Sequence, residues 1–156
     1  MSYSPVAVAN TLLQRSFGDG IPISAQRLHA LCYIAATRYP IHTAAPLFGD
    51  HFTAHVAGPV QYSTYDKFRV LGDEPIVKYA PLAGEKLVLN EHEDPALSRV
   101  LHSVWIATRG VDTAVLTVAI TQPGSAWAAA RERGQHYLDN DEVARDRSYQ
   151  HVVGVA

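Results

Sequence analysis

Ser24-Ala25-Gln26-Arg27-Leu28-His29-Ala30-Leu31-Cys32-Tyr33-Ile34-Ala35-Ala36-Thr37-Arg38-Tyr39-Pro40 is the stretch whose reading decides the fold. Ser24 is placed to cap a helix, because its hydroxyl accepts from an orphan N–H of the first turn. Leu28, Leu31, Cys32 and Ala35 follow at steps of three and four, which predicts one apolar stripe flanked by Tyr33 and Tyr39. Pro40 lacks a donor and disfavours helical geometry in the residue before it, so the helix is expected to end near Tyr39. Downstream, Gly58 is expected to cap a new helix with Pro59 at its first position, where a missing N–H costs nothing. Val60, Tyr65, Phe68 and Leu71 form its inner side, and Gly72 closes it.

Outward from this segment the pattern stays mainly helical. Ser4 caps a first helix with Pro5 at its first position and Val6, Ala9, Leu12, Leu13 and Phe17 facing inward, and Gly18, Asp19 and Gly20 end it. Between Gly72 and Asp94 the period changes. Ile76 to Tyr79 and Lys86 to Leu89 read as two short strands around Pro81 to Gly84, with Phe52 to Val56 as a possible third. Asp94 and Pro95 begin a helix bearing Leu97, Val100, Leu101, Val104 and Trp105, which Gly110 stops. Asp112 caps the next helix, Ser125 the Trp127 helix, and Asp139 with Glu142 has the spacing of a capping box for a last short one. The expectation is a mainly α, compact fold: one domain over residues 1–147 with a small β-hairpin or short sheet in mid-chain, and a flexible tail over 148–156.

Composition narrows the function by exclusion. A chain of 156 residues suits one core rather than two. Its formal charge of −2 lacks the concentrated Lys and Arg excess on which sequence-independent nucleic-acid binding rests, so no direct nucleic-acid contact is expected. The single cysteine, Cys32, excludes an intrachain disulfide and suits a reducing compartment. Val111 to Ile120, the most apolar later run, is too short to span a bilayer, and Met1 to Val6 has no basic region before an apolar one. A cytoplasmic protein with no membrane partner is expected.

At the level of motifs the chain resembles a known family. Ser24, Gln26, Arg27, Leu28, Leu31, Tyr33 and Ala35, then Pro46-Leu47-Phe48, then Phe52, Ala54, Gly58-Pro59-Val60, Tyr65 and Phe68 follow the order of the Panacea antitoxin domain, which includes SocA-like, prophage-associated proteins. Trp127 before Ala128, Ala129 and Ala130 matches the tryptophan and alanine-rich helix that close the family pattern. The likeness runs from about Val8 to Val143, and the order of its short pieces is what makes it specific. Arg27 and Ala30 stand where the family favours lysines, and Gln122 stands near a common histidine.

The resemblance implies an antitoxin of a bacterial toxin-antitoxin or phage-defence system, neutralising a cognate protein toxin in a one-to-one complex, without a cofactor and without enzymatic activity. SocA-like members imply an alternative, an adaptor delivering the toxin to an ATP-dependent protease, with the apolar end Val152 to Ala156 as the engaged terminus. A prophage accessory protein that binds another host factor is a third reading. Tyr33, Tyr62, Tyr65 and Trp127 are the candidate toxin-interface residues, because tyrosine and tryptophan remove large apolar area from water while keeping a polar tip. Arg27, Leu28, Leu31, Phe52, Gly58, Pro59, Val60 and Phe68 are expected to be mainly structural.

Catalytic and metal readings find less support in the residues. His51 and His55 stand four apart, but Phe52 and Val56 beside them read as an extended segment, and no Glu follows His51 as a metalloprotease helix requires. His29 lies one turn before Cys32, yet Cys32 belongs to the apolar stripe, which suits a buried thiol better than a nucleophile. Glu91, Glu93 and Asp94 sit at a helix start, where the dipole favours negative charge. A small hydrolase using His55, Asp50 or Glu85 remains as the enzymatic alternative, with no nucleophile, base and orienter that the sequence assembles.

Overall fold

The computed structural model describes residues 2–82 and 87–155. Within them the chain is mainly helical, with one small sheet in mid-chain. The long central helix, Ala25–Thr43 (α2), carries the core. Leu28, Leu31, Tyr33, Ile34 and Ala35 are fully buried along it, as is Thr37, and, more surprisingly, Arg27, His29 and Arg38 are each under a tenth exposed. A helix covered on every side is a core helix rather than a one-striped surface helix. It is wrapped by Pro5–Asp19 (α1), Pro95–Thr108 (α4), Thr113–Thr121 (α5) and Asn140–Arg145 (α7), while Tyr62–Phe68 (α3) and Ala126–Glu132 (α6) close the remaining gaps.

Caps do much of the positioning. The hydroxyls of Ser4, Ser24 and Ser125 accept from Ala7, Arg27 and Ala128 N–H at 3.4, 3.3 and 3.0 Å, and Asp94 and Asp139 cap α4 and α7. Asp112 starts α5 without a side-chain cap bond. Asp94 does more than cap, since one of its oxygens also accepts from the hydroxyls of Tyr3 at 2.7 Å and Tyr39 at 2.6 Å. Those three groups fasten the N-terminus, the end of α2 and the start of α4 together.

The sheet is not where the alternating pattern of residues 76–89 suggests. Thr53–His55 (β1) and Gly58–Val60 (β2) form an antiparallel hairpin with Thr53 opposite Val60 and His55 opposite Gly58. Gly58-Pro59-Val60 is therefore a strand and not a helix start. Gly58 adopts a φ of 130°, which a side chain rarely tolerates, and Pro59 is accommodated because the pair leaves one edge of β2 without a ladder. Gln61 then becomes the cap of α3. On its other side β1 meets residues 136–138, with Ala54 N–H donating to His136 O and Leu138 N–H to Phe52 O, both at 2.8 Å.

Ile76 to Tyr79 forms no strand. Ile76 N–H donates to Ile23 O at 2.9 Å, and the Asn10 amide bonds both the N–H and the C=O of Ala80 at 2.9 Å, so this segment is pinned to its helical neighbours instead of to a partner strand. Leu87 to Leu89 is not a strand either. The second half of the expected turn, Ala83 and Gly84, and Lys86 lie outside the described residues.

α2 also runs past Pro40 to Thr43. A proline in the last turn forfeits one hydrogen bond, and Ala44, in the left-handed region at φ 57°, closes the helix by donating to Pro40 O at 2.9 Å. The segment 148–155, expected as a loose tail, folds back through turns and buries Tyr149, Val153 and Val155. The Tyr149 hydroxyl reaches Thr37 of α2 at 2.6 Å, and Val153 and Val155 join the apolar core.

Candidate functional site

The cavity that draws most of the notable side chains together lies between the first half of α2, the hairpin, α3 and α5, and encloses about 200 Å3. Its floor is apolar, formed by Ala30, Val60 and Ile120, each under a tenth exposed. Two imidazoles and a phenol stand in its wall. The Tyr65 ring lies 6.1 Å from His29 and 5.3 Å from His55, centroid to centroid. Across the mouth, Gln26 Nε2 donates to Thr117 Oγ1 at 3.0 Å, bridging α2 to α5.

His29 is the unusual member. It is 8% exposed, no hydrogen bond to its ring is found among the described residues, and it lines the cavity. Burial, with a smaller contribution from His55, lowers its pKa to about 4, so the imidazole is neutral near pH 7. His55 is differently employed: its Nδ1 accepts from Ala57 N–H at 3.1 Å in the hairpin turn.

The hairpin that supplies His55 is held from behind. The Trp127 indole N–H donates to His55 O at 2.7 Å. Arg131 donates to Ala54 O at 3.0 Å while its guanidinium lies 5.5 Å from the Trp127 ring centroid. Trp127 is thus a half-buried brace that reaches the site through the backbone.

The four aromatic candidates separate on this geometry. Tyr65 is in the cavity wall and Tyr62, on the same helix, is 69% exposed. Tyr33 is fully buried, its ring packed edge-on against Phe52 and its hydroxyl donating to Asp146. It is a core residue and has no surface to offer a partner. Arg27 is buried too and donates to Thr108 O and to Thr113 Oγ1, the latter at 3.1 Å, which ties α2 to the α4 and α5 junction. Leu28, Leu31, Phe52 and Phe68 are core, and Gly58, Pro59 and Val60 are both strand and cavity lining.

Cys32 is 2% exposed, and burial pushes its thiol up to about 12. It makes no thiolate pair with His29. His51 bonds Leu138 O at 3.2 Å, apart from the partners of His55, and among the described residues no three His, Cys, Asp or Glu side chains gather as a ligand set. Glu91 pairs with Arg15 at 2.5 Å. Asp50 is exposed and lines a different, smaller cavity beside α7, and Glu85 lies outside the described residues.

Residues 29, 55, 65 and 117 come from four elements, so no local pattern announces them. The available signal was a histidine within an apolar helix. The hairpin turn, α3, the turn just after it and α5 also expose large apolar side chains: Val56 at 74%, Tyr62, Val70 at 85% and Val118 at 66%. A concavity whose walls belong to elements that also expose apolar side chains suits a docking surface. Among the described residues no single helix is long and apolar enough to cross a membrane.

Against known proteins, the chain is similar to Antitoxin SocA of Caulobacter vibrioides (strain NA1000 / CB15N), 27% identical over 125 residues that cover 78% of this chain. It spans 66% of that relative's length. No protein-family model and no solved structure matches.

Proposed function

We propose that this protein is an antitoxin that neutralises a cognate protein toxin by direct binding, with the cavity between α2, the hairpin, α3 and α5 at the centre of the contact. The observation that carries the reading is the similarity to Antitoxin SocA over 78% of the chain. The site chemistry is compatible with it: a neutral, buried imidazole and a half-buried phenol in an apolar hollow suit recognition of an uncharged side chain, and Tyr62 on α3 and Val56 in the hairpin turn are exposed apolar area on the same elements. Occlusion of the toxin in a one-to-one complex needs no cofactor. Delivery to a protease would draw on a loose end, and the burial of Val153 and Val155 favours occlusion over it.

The test is capture of partners by the tagged, full chain from its native host, washed at high salt, with stoichiometry and mass spectrometry of what is retained. A single one-to-one partner whose expression alone arrests growth, and whose toxicity this protein relieves, is the expected result. A retained partner that is harmless when expressed alone, or no retained partner, overturns the reading.

A further inference from the structure

We propose that the cavity between α2, the hairpin, α3 and α5 receives one tyrosine side chain of the toxin, its ring lying among Tyr65, His55 and Pro59 and its hydroxyl bonding the unpartnered ring of His29. The proposal deepens the antitoxin reading and rests on it.

Size comes first. Pockets for drug-sized ligands or cofactors run to about 300–1,000 Å3, and this one holds about 200 Å3, enough for a single large side chain. Shape follows, because the Tyr65 and His55 rings, packed on each other at 5.3 Å, form one aromatic wall against which a further ring can pack edge-on or offset.

Polarity then selects the tip. A purely apolar occupant would seal His29 from water with nothing to bond, leaving a buried polar group unpaired. A neutral imidazole presents one acceptor and one donor nitrogen, and a phenol hydroxyl complements either. Charge is disfavoured beside His29, which burial already holds neutral, and the one cationic side chain lining the cavity among the described residues, Arg69, is paired with Asp66 at 3.6 Å. A tyrosine reaches with its hydroxyl foremost, which an indole does not.

The test separates the cavity from the toxin. The free, full-length protein is titrated with p-cresol, the tyrosine side-chain analogue, and with toluene, and followed by two-dimensional NMR. Saturable one-to-one binding is expected, with shifts at His29, Tyr65 and Ile120, and p-cresol binding about tenfold tighter than toluene, the ratio one net hydrogen bond provides. His29→Phe should bring that ratio to about one. Ala57→Trp, at an exposed position of the mouth, should abolish binding of both with the remaining spectrum unchanged, which covers the case in which His29→Phe fails to fold.

The same Ala57→Trp variant is then tried against the toxin captured by the wild-type chain, and at least a tenfold weaker complex is expected. Absence of saturable p-cresol binding, or equal affinity for toluene, overturns the proposal. So does a toxin complex indifferent to Ala57→Trp, although the antitoxin reading then stands. If the wild-type chain retains no toxin at all, it is that reading that fails, whatever p-cresol does.

Discussion

Trp127 donates its indole N–H to the carbonyl oxygen of His55 at 2.7 Å, so a helix far along the sequence sets the height of the hairpin residue that faces Tyr65. Trp127→Phe keeps most of the ring and removes the donor. The expected cost is about 0.5–1.5 kcal/mol of global stability by urea denaturation, with faster amide exchange over residues 53–60 than over α2. Unchanged exchange in the hairpin would mean that the brace is incidental.

His29 makes the fold acid-sensitive over a defined window. Its folded pKa is about 4 against an ordinary 6.5, so between these values the unfolded chain binds the proton and the native one does not, and stability falls as pH falls. The loss from this group is fully absent above pH 6.5, grows by at most about 1.4 kcal/mol per pH unit and levels off below 4. Urea unfolding of wild type and His29→Gln from pH 7.5 to 4 should show a shallower slope in the variant. Parallel profiles would place the titration elsewhere.

Asp146 is the hub beneath the C-terminal turns. Its carboxylate accepts from the Tyr33 hydroxyl, from Ala126 N–H at 3.2 Å and from the Ser148 N–H and hydroxyl at 2.9 and 2.6 Å. Tyr33→Phe removes one charge-assisted bond and should cost about 1.5–3 kcal/mol. Asp146→Ala should cost more, because it strands several donors at once. In a double-mutant cycle the two should be strongly non-additive; simple addition would disprove the shared network.

Gln61 is 2% exposed and neither atom of its amide has a partner among the described residues; Thr64 Oγ1, also buried, has none either. Replacing an unsatisfied buried amide by an apolar side chain of similar volume is neutral to stabilising. Gln61→Met is expected to raise stability, by about 1–3 kcal/mol, read as an upward shift of the urea midpoint. A lower midpoint would show that the amide is satisfied in solution.

The alkaline limb follows from the other tyrosine pair. Burial, and then the hydrogen bond to Asp94, push Tyr39 up to about 12, and Tyr3 is raised by the same causes. The unfolded phenols ionise near 10 while the folded ones keep their protons, so stability is complete below pH 10 and declines from there towards 12. Tyr3→Phe and Tyr39→Phe together should flatten that decline.

Helix starts were legible because capping is a local matter: Ser4, Ser24, Asp94, Ser125 and Asp139 each meet N–H groups two or three residues on. Gly58-Pro59 misled for the same reason. Its local chemistry fits a helix start, but the distant constraint of β1, itself held by residues 136–138, makes it a strand. Ile76 to Tyr79 carries strand-like alternation with no strand to pair with, and a period alone cannot supply one. The tail looked free because its end is small and apolar, yet Tyr149 finds Thr37 at 2.6 Å across the core. Tyr65, at the cavity, was legible as an aromatic of interest. Its meeting with His29 was not, because the two come together only once α2, α3 and the hairpin have packed.

The buried thiol has a practical corollary. Cys32 is the only cysteine in the chain, is 2% exposed and keeps its proton to about pH 12, which makes it inert to alkylating reagents at neutral pH. A cysteine introduced at Ala57 therefore becomes the single labelling handle without any other change to the protein. A fluorophore there closes the mouth of the cavity as a tryptophan at the same position does, so that labelled and unlabelled protein compare the shut and the open site.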